Sequence, residues 1–250
     1  MTGDLPDELL SARRELARMR DEIARLKQEN EQLRALTPML AHELGGPLRG
    51  ITLFSEFVIQ RYAGELSPDA LRDLRHILSA ANRLGQLTND LLAYARSGER
   101  TVRKTEVETS ALVVEVIDCL RSEAPDHRAE FRIGPLPNCH ADIVLLRQVF
   151  LNLVRNAIKF SRSREQPVIS VDAVGSEYGT VYRVSDKGVG FDMQEAVRLF
   201  LPFERLHSRD EYEGSGVGLA VVKEIIERHG GRVWAEAKVD HGATISFTLS

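Results

Sequence analysis

Apolar residues near the start of the chain repeat in sevens. Leu9, Leu16, Ile23, Asn30 and Thr37 fall in one register, and Leu5, Ala12, Met19, Leu26, Leu33 and Leu40 in the other. Arg, Lys, Glu and Gln fill the remaining positions. Two such seams predict a coiled coil, because side chains spaced 3.5 residues apart keep one face of a helix toward a partner. Asn30 on an a position favours a parallel two-stranded pairing. The register continues: with Leu40 at d, Leu44 is at a and His42 at f, a position that points outward. A second helical pattern follows in Leu71, Leu74, Leu78, Ala81, Leu84, Leu87 and Leu91. Ser67-Pro68 is its start signal and Ser97-Gly98 its end. A turn near 63–66 makes the two helices an antiparallel hairpin, and two hairpins would make a four-helix bundle.

From about residue 101 the period changes. Short β-like runs at 101–107, 129–133, 168–174, 180–185, 232–235 and 244–249 alternate with helical stretches at 109–123, 142–160, 192–199 and 216–229. Strands close in sequence suggest hairpins with helices packed on one face. The expected fold is therefore α plus α/β. A parallel coiled coil spans 1–37, a dimeric four-helix-bundle hairpin 38–98, and a two-layer α/β sandwich 101–250. Trp234, in a short strand, reads as core, and Cys119 and Cys139 as small packing residues.

Composition narrows this picture. The chain has 250 residues, 43% hydrophobic and 28% charged, with a net charge of -4, so neither a disordered tail nor a nucleic-acid-binding surface is indicated. Apolar runs are broken by charge well short of a membrane span, and no secretory leader is evident. Two cysteines make no disulfide framework, which points to a reducing compartment. The expectations are a cytoplasmic homodimer, no nucleic-acid partner and no membrane insertion.

Four segments carry candidate chemistry. In His42-Glu43-Leu44-Gly45-Gly46-Pro47 an imidazole that titrates near neutrality can act as a nucleophile, with a carboxylate beside it to take up its proton. Pro47 removes a helix donor and lets the helix bend. Asn152, Asn156 and Lys159 share one helix face, while Leu151, Val154, Ala157 and Ile158 face a core. Taken alone that stripe reads as a solvated face; Mg²⁺ with phosphate oxygens is the functional alternative. Asp186-Lys187-Gly188-Val189-Gly190 ends a strand, where a carboxylate can accept from an exocyclic amine such as that of adenine. Gly214-Ser215-Gly216-Val217-Gly218-Leu219 opens a helix, an arrangement that favours phosphate. The charged stretch 199–213, with Phe200, Pro202 and Phe203, reads as a mobile lid with an aromatic anchor.

Taken in order, these segments resemble the transmitter core of a two-component sensor histidine kinase: a dimerisation and phosphotransfer hairpin followed by a GHKL-type ATP-binding domain, over about residues 36–250. Leu48-Arg49-Gly50-Ile51 and Phe203-Glu204-Arg205-Leu206-His207 resemble the phytochrome-related branch. The resemblance implies that His42 accepts phosphate and Glu43 is its acid–base partner. It makes Asn156 the N-box magnesium ligand, with Asn152 in the same box, Lys159 on phosphate and Phe160 against the nucleotide. Asp186 would read adenine, with Gly188 and Gly190 completing the first glycine box. Phe200 and Phe203 match the F-box, and Gly214, Gly216, Gly218 and Leu219 the second glycine box. The implied reaction moves the γ-phosphate of ATP, with Mg²⁺, to His42 and then to an aspartate of a response-regulator receiver domain. One position departs from the pattern. Where many members carry Thr or Asn four residues after the histidine, this chain has Gly46, and weak phosphatase activity by that route is expected. The competing expectations are a dimeric scaffold or phosphotransfer protein with a degenerate nucleotide domain, and an ATPase that does not transfer to histidine.

Overall fold

The computed structural model describes residues 5–99, 101–123, 128–177, 179–207, 211–212 and 214–250. The side chains of 5–11, 14, 27, 29–42, 90 and 93–99 lie outside that description, and with them the heptad residues Leu5, Leu9, Asn30, Leu33, Thr37 and Leu40 and the imidazole of His42.

Helix α1, Leu5–Tyr62, is one unbroken helix of 58 residues, about 87 Å at 1.5 Å per residue. It continues through Gly45, Gly46 and Pro47. Helix α2, Pro68–Glu99, starts as expected: Ser67 Oγ accepts the Ala70 N–H at 3.2 Å. It passes Ser97-Gly98 and reaches Glu99, because a single glycine costs a helix only about 1 kcal/mol. The two helices pack as a hairpin, with Leu48, Ser55, Ala81 and Thr88 buried and Thr52 Oγ1 donating to Asn82 Oδ1 at 3.3 Å.

That hairpin leaves its heptad seam uncovered. Leu16, Met19, Ile23 and Leu26 are each more than half exposed, and Leu44, Ile51 and Phe54 are also in contact with solvent. Position e of the heptad, occupied by Leu48 and Ser55, is the face that meets α2. A free helix of this length gains nothing from exposing that many large apolar side chains, each worth about 1.5–3 kcal/mol on burial.

The C-terminal unit contains β1 (Thr105–Val107), α3 (Thr109–Glu123), β2 (Glu130–Ile133), β3 (Cys139–Ala141), α4 (Ile143–Ser161), β4 (Val168–Ser176), β5 (Gly179–Asp186), α5 (Gly218–Arg228), β6 (Val233–Lys238) and β7 (Gly242–Thr248). Five strands form one sheet in the order β2-β4-β5-β7-β6. The β4–β5 and β6–β7 hairpins are antiparallel, and β2 joins β4 in parallel. β1 and β3 form a separate antiparallel pair. The stretch expected as a helix at 192–199 is a six-residue 3-10 turn, Met193–Arg198, capped by Asp192. Its length is too short to repay the nucleation cost of an α-helix.

The pairing register sorts the sheet residues into two faces. Ile169 and Val171 of β4, Tyr182 and Val184 of β5, and Ile245 and Phe247 of β7 lie in matching rows. They join Val113, Val116, Leu146, Val149, Phe150, Leu153, Val222 and Ile225 of the three helices in one core. The opposite face is polar, with Arg183 bound to Asp172 at 2.6 Å and Thr244 to Ser185 at 2.9 Å. Trp234, expected in the core, pairs with Ser246 and is only half-buried, because its register puts it on this outer face. Asp186 pairs with Ile169, so it closes the inner row at the end of β5 and faces the helices.

Candidate functional site

Helix α4 is the scaffold of the site. Asp142 caps it, accepting the Val144 and Leu145 N–H groups at 3.1 and 3.3 Å. The same residue receives the linker, since Asp142 Oδ2 accepts the Arg103 N–H at 3.2 Å. His229 at the end of α5 is fully buried, and its Nε2 accepts the Asp142 N–H at 3.0 Å while Nδ1 meets the Ile225 carbonyl at 2.8 Å. That bonding makes His229 a pin between α4 and α5.

Leu145, Leu146, Val149, Phe150, Leu153, Val154 and Ala157 face the core. Asn152, Asn156, Lys159 and Phe160 lie on the half-buried side of the same helix. Asn152 Nδ2 donates to the Gln148 carbonyl at 2.9 Å, and its Oδ1 faces Gly218, where a Cβ would stand 3.0 Å away. A Cβ on Gly214 would stand 3.2 Å from Lys159 Nζ. Lys159 Nζ itself lies 4.0 Å from the centre of the Phe160 ring. The glycines at 214 and 218 thus let the second glycine segment approach the polar stripe of α4. Gly216 has φ +76, its carbonyl accepts the Phe203 N–H at 3.1 Å, and a side chain there would meet the Phe203 and Glu204 backbone. Leu219 sits in the first turn of α5, half-buried behind this segment.

The first glycine segment meets the other end of α4. A Cβ on Gly188 would overlap the Phe160 carbonyl, and Val189 N–H donates to that carbonyl at 3.2 Å. Gly190, at φ +61, lies against the Lys238 and Gly242 carbonyls of the β6–β7 turn. Asp186 Oδ1 accepts the Gly188 N–H at 2.8 Å. Burial pushes the Asp186 carboxyl up to about 6, while backbone hydrogen bonds from Gly188 and Ala243 pull it down. Desolvation wins because two neutral donors do not replace the water that a carboxylate loses.

Three segments far apart in sequence therefore converge on one face of α4: the asparagine–lysine stripe, the first glycine segment and the second. His42 and Glu43 lie on α1, outside this group. Glu43 is exposed, and the side chain of His42 is outside the described residues.

The lid region differs from expectation. Phe203 has φ +65 and is 58% exposed, so its backbone, not its ring, touches the second glycine segment. The aromatic contacts come from His207 and Tyr212, whose rings lie 5.3 and 5.2 Å from that of Phe160. Arg162 stands over Tyr212 at 5.0 Å and donates to the Glu211 carbonyl. Arg205 donates to the Gly214 and Tyr212 carbonyls. A cavity of about 650 Å³ opens beside this cluster, lined by Arg162, Val189, Gly190, Phe191, His207 and Tyr212 among others. The signal for Tyr212 was present in the sequence as an aromatic residue inside a charged stretch, but nothing there gave its partner.

Two family models match. Residues 32–100 match "His Kinase A (phospho-acceptor) domain", and residues 141–250 match "Histidine kinase-, DNA gyrase B-, and HSP90-like ATPase". In this order the two domains match the transmitter core of a sensor histidine kinase. The chain is 34% identical over 220 residues to cyanobacterial phytochrome A of Nostoc sp., covering 88% of this chain and 29% of that protein. It is 30% identical over 255 residues to the adaptive-response sensory kinase SasA of a Synechococcus strain, covering 98% of this chain and 64% of that protein. The crystal structure of full-length ShkA in complex with AMPPNP superposes with a TM-score of 0.63 at 25% identity, over 85% of this chain and 44% of that one. The chain thus spans less than a third of the length of the phytochromes it matches. No described helix of the chain is long and apolar enough to cross a membrane.

Proposed function

We propose that this chain binds ATP on α4, phosphorylates His42 and passes the phosphoryl group to an aspartate of a response-regulator receiver domain. The observation that carries this reading is the convergence on α4 of two glycine segments and a half-buried carboxylate, with an asparagine–lysine stripe between them. Asp186 accepts the exocyclic amine of adenine. Phe160, with His207 and Tyr212 beside it, supplies ring surface for the base. Lys159 and the backbone N–H groups at the start of α5 take the phosphates, where helix and ammonium charges favour anions.

The donor set also suits Mg²⁺. Asn152 presents an oxygen toward Gly218, and Asn156 stands one turn on, both hard neutral ligands of the type this ion takes alongside phosphate oxygens and water. Bound there, the ion would neutralise charge on the phosphates.

The imidazole of His42 is the nucleophile. Its unprotonated nitrogen forms a bond to the γ-phosphorus as the bond to the β,γ-bridging oxygen breaks, and ADP leaves. The other ring nitrogen gives its proton to Glu43. Catalysis in such a transfer is mainly positioning and charge stabilisation. The uncovered seam of Leu16, Met19, Ile23, Leu26, Leu44, Ile51 and Phe54 supports a homodimer through a parallel coiled coil and a four-helix bundle. Dependence on ATP assigns the chain's work to the cytoplasm.

The test is phosphorylation with labelled Mg-ATP. Wild type should carry acid-labile, base-stable label, and His42→Ala and Asn156→Ala should carry none. Label that survives in His42→Ala overturns the choice of acceptor. ATP turnover unaffected by that substitution, with no label on wild type, overturns histidine transfer altogether.

A further inference from the structure

Arg164 lies past the end of α4, outside every motif that carries the proposed function. Its Nη2 donates to the Gly188 carbonyl at 2.9 Å and to the Asp240 carbonyl at 2.9 Å, with Asp240 Oδ1 at 3.3 Å. One guanidinium nitrogen therefore bridges two backbone segments: the first glycine segment and the β6–β7 turn. The same two segments are tied again by the Asp240 N–H, which donates to the Val189 carbonyl at 2.7 Å. From the start of β7, the Ala243 N–H reaches the Asp186 carboxylate. From the glycine side, the Gly188 N–H does the same. One donor that orients the Asp186 carboxylate thus lies in a segment that Arg164 holds, and the other at the start of β7, just beyond the turn that it holds.

The side chain is two-thirds buried, and its Nε is buried with no hydrogen-bond partner among the described residues. A buried donor without a partner is a cost that an apolar residue here would avoid. An apolar residue could not, however, hold two carbonyls at once. Guanidinium can, because it stays charged and directs its donors in a fixed plane.

We infer that Arg164 is a positioning residue for base recognition: by clamping the Gly188 and Asp240 carbonyls it fixes the direction in which Asp186 presents its carboxylate to an adenine amine. The inference rests on the proposed reading of Asp186. Arg164 need not touch the nucleotide. Its loss leaves the Asp186 carboxylate in place and lets it turn, so the discrimination between adenine and guanine narrows while the phosphate contacts persist.

The experiment measures autophosphorylation by the full chain at varied ATP and GTP, for wild type, Arg164→Ala, Arg164→Lys and Asp186→Asn. Trp234 fluorescence checks that each variant is folded at the assay temperature. Arg164→Ala should raise KM for ATP about tenfold and leave KM for GTP and the rate at saturation within twofold. The ATP-over-GTP preference then falls about tenfold. Arg164→Lys keeps the charge but ends short of the Nη2 position, so it should recover part of that preference. Should the alanine variant not fold, the lysine variant decides by the same ratio. Equal losses for ATP and GTP would mean that Arg164 only holds the fold, and an unchanged preference would mean that the clamp is dispensable. Either result overturns the inference. If wild type does not discriminate, or Asp186→Asn discriminates as wild type does, the reading of Asp186 fails and takes this inference with it.

Discussion

Asp186→Asn separates what the carboxylate does for binding from what it costs the fold. In the folded chain the group titrates at about 6 because it is buried, and in the unfolded chain at its ordinary value of 3.8. Below the lower value both states are protonated, and burial of the group costs nothing extra. As pH rises toward 6 the unfolded chain releases the proton first, so folding becomes less favourable. Above 6 the penalty is complete. A shift of about two units at 1.36 kcal/mol per unit amounts to about 3 kcal/mol. Asparagine does not titrate and escapes that penalty. It still has one oxygen for Gly188 or Ala243 and weakens the other contact, at about 1 kcal/mol. The variant should therefore be about 2 kcal/mol more stable than wild type at pH 7.5 and no more stable than wild type at pH 4. For a unit of this size that is about 4–8 °C in melting temperature.

The chain has a single tryptophan, Trp234 on β6, so its fluorescence follows the unfolding of the unit that contains Asp186. Melting temperatures of wild type and Asp186→Asn at half-unit steps from pH 4 to 8 should diverge between about 4 and 6.5 and then run parallel. A gap of the same size at every pH, or a variant less stable at pH 7.5, would refute the claim that the carboxylate is desolvated. The same titration has a functional counterpart. ATP affinity of wild type should fall as pH drops through about 6, because a protonated carboxyl is a poorer acceptor for the adenine amine. The affinity of Asp186→Asn should be lower and flat over that range.

Three further predictions follow from particular residues. A Cβ at Gly46 meets nothing within 4 Å, so Gly46→Thr should fold as wild type and raise the rate at which the kinase removes phosphate from its regulator; rapid removal by wild type would contradict the reasoning. Leu16→Lys with Ile23→Lys should shift the chain toward monomer in sedimentation, since charge on an a position opposes burial of that seam. Asp142→Ala removes two cap hydrogen bonds of α4 and the Arg103 anchor, and should lower stability by about 1–2 kcal/mol in urea unfolding.

The sequence by itself determined the elements and the chemistry they could carry. The heptads marked α1, Ser67-Pro68 marked the start of α2, and the 109–123 stretch matches α3 residue for residue. The spacing of Asn152, Asn156 and Lys159 put them on one helix face, because a helix repeats every 3.6 residues whatever surrounds it. The order of the glycine segments was enough to name the family. Strand pairing was less accessible. β3 is three residues long, too short for a period, and β2 pairs with β4 across an intervening strand and helix. Register depends on which apolar rows can share a core, and a one-residue slip would turn Asp186 outward. Tertiary structure alone brought Tyr212 to Phe160, His229 to Asp142 and Arg164 to Gly188. Each of those contacts joins residues separated by a long stretch of chain, and no local pattern encodes them. Helix and strand periods arise from neighbouring residues, so they can be read along the chain. The pocket arises from the packing of segments that meet only after the sheet has closed against α4.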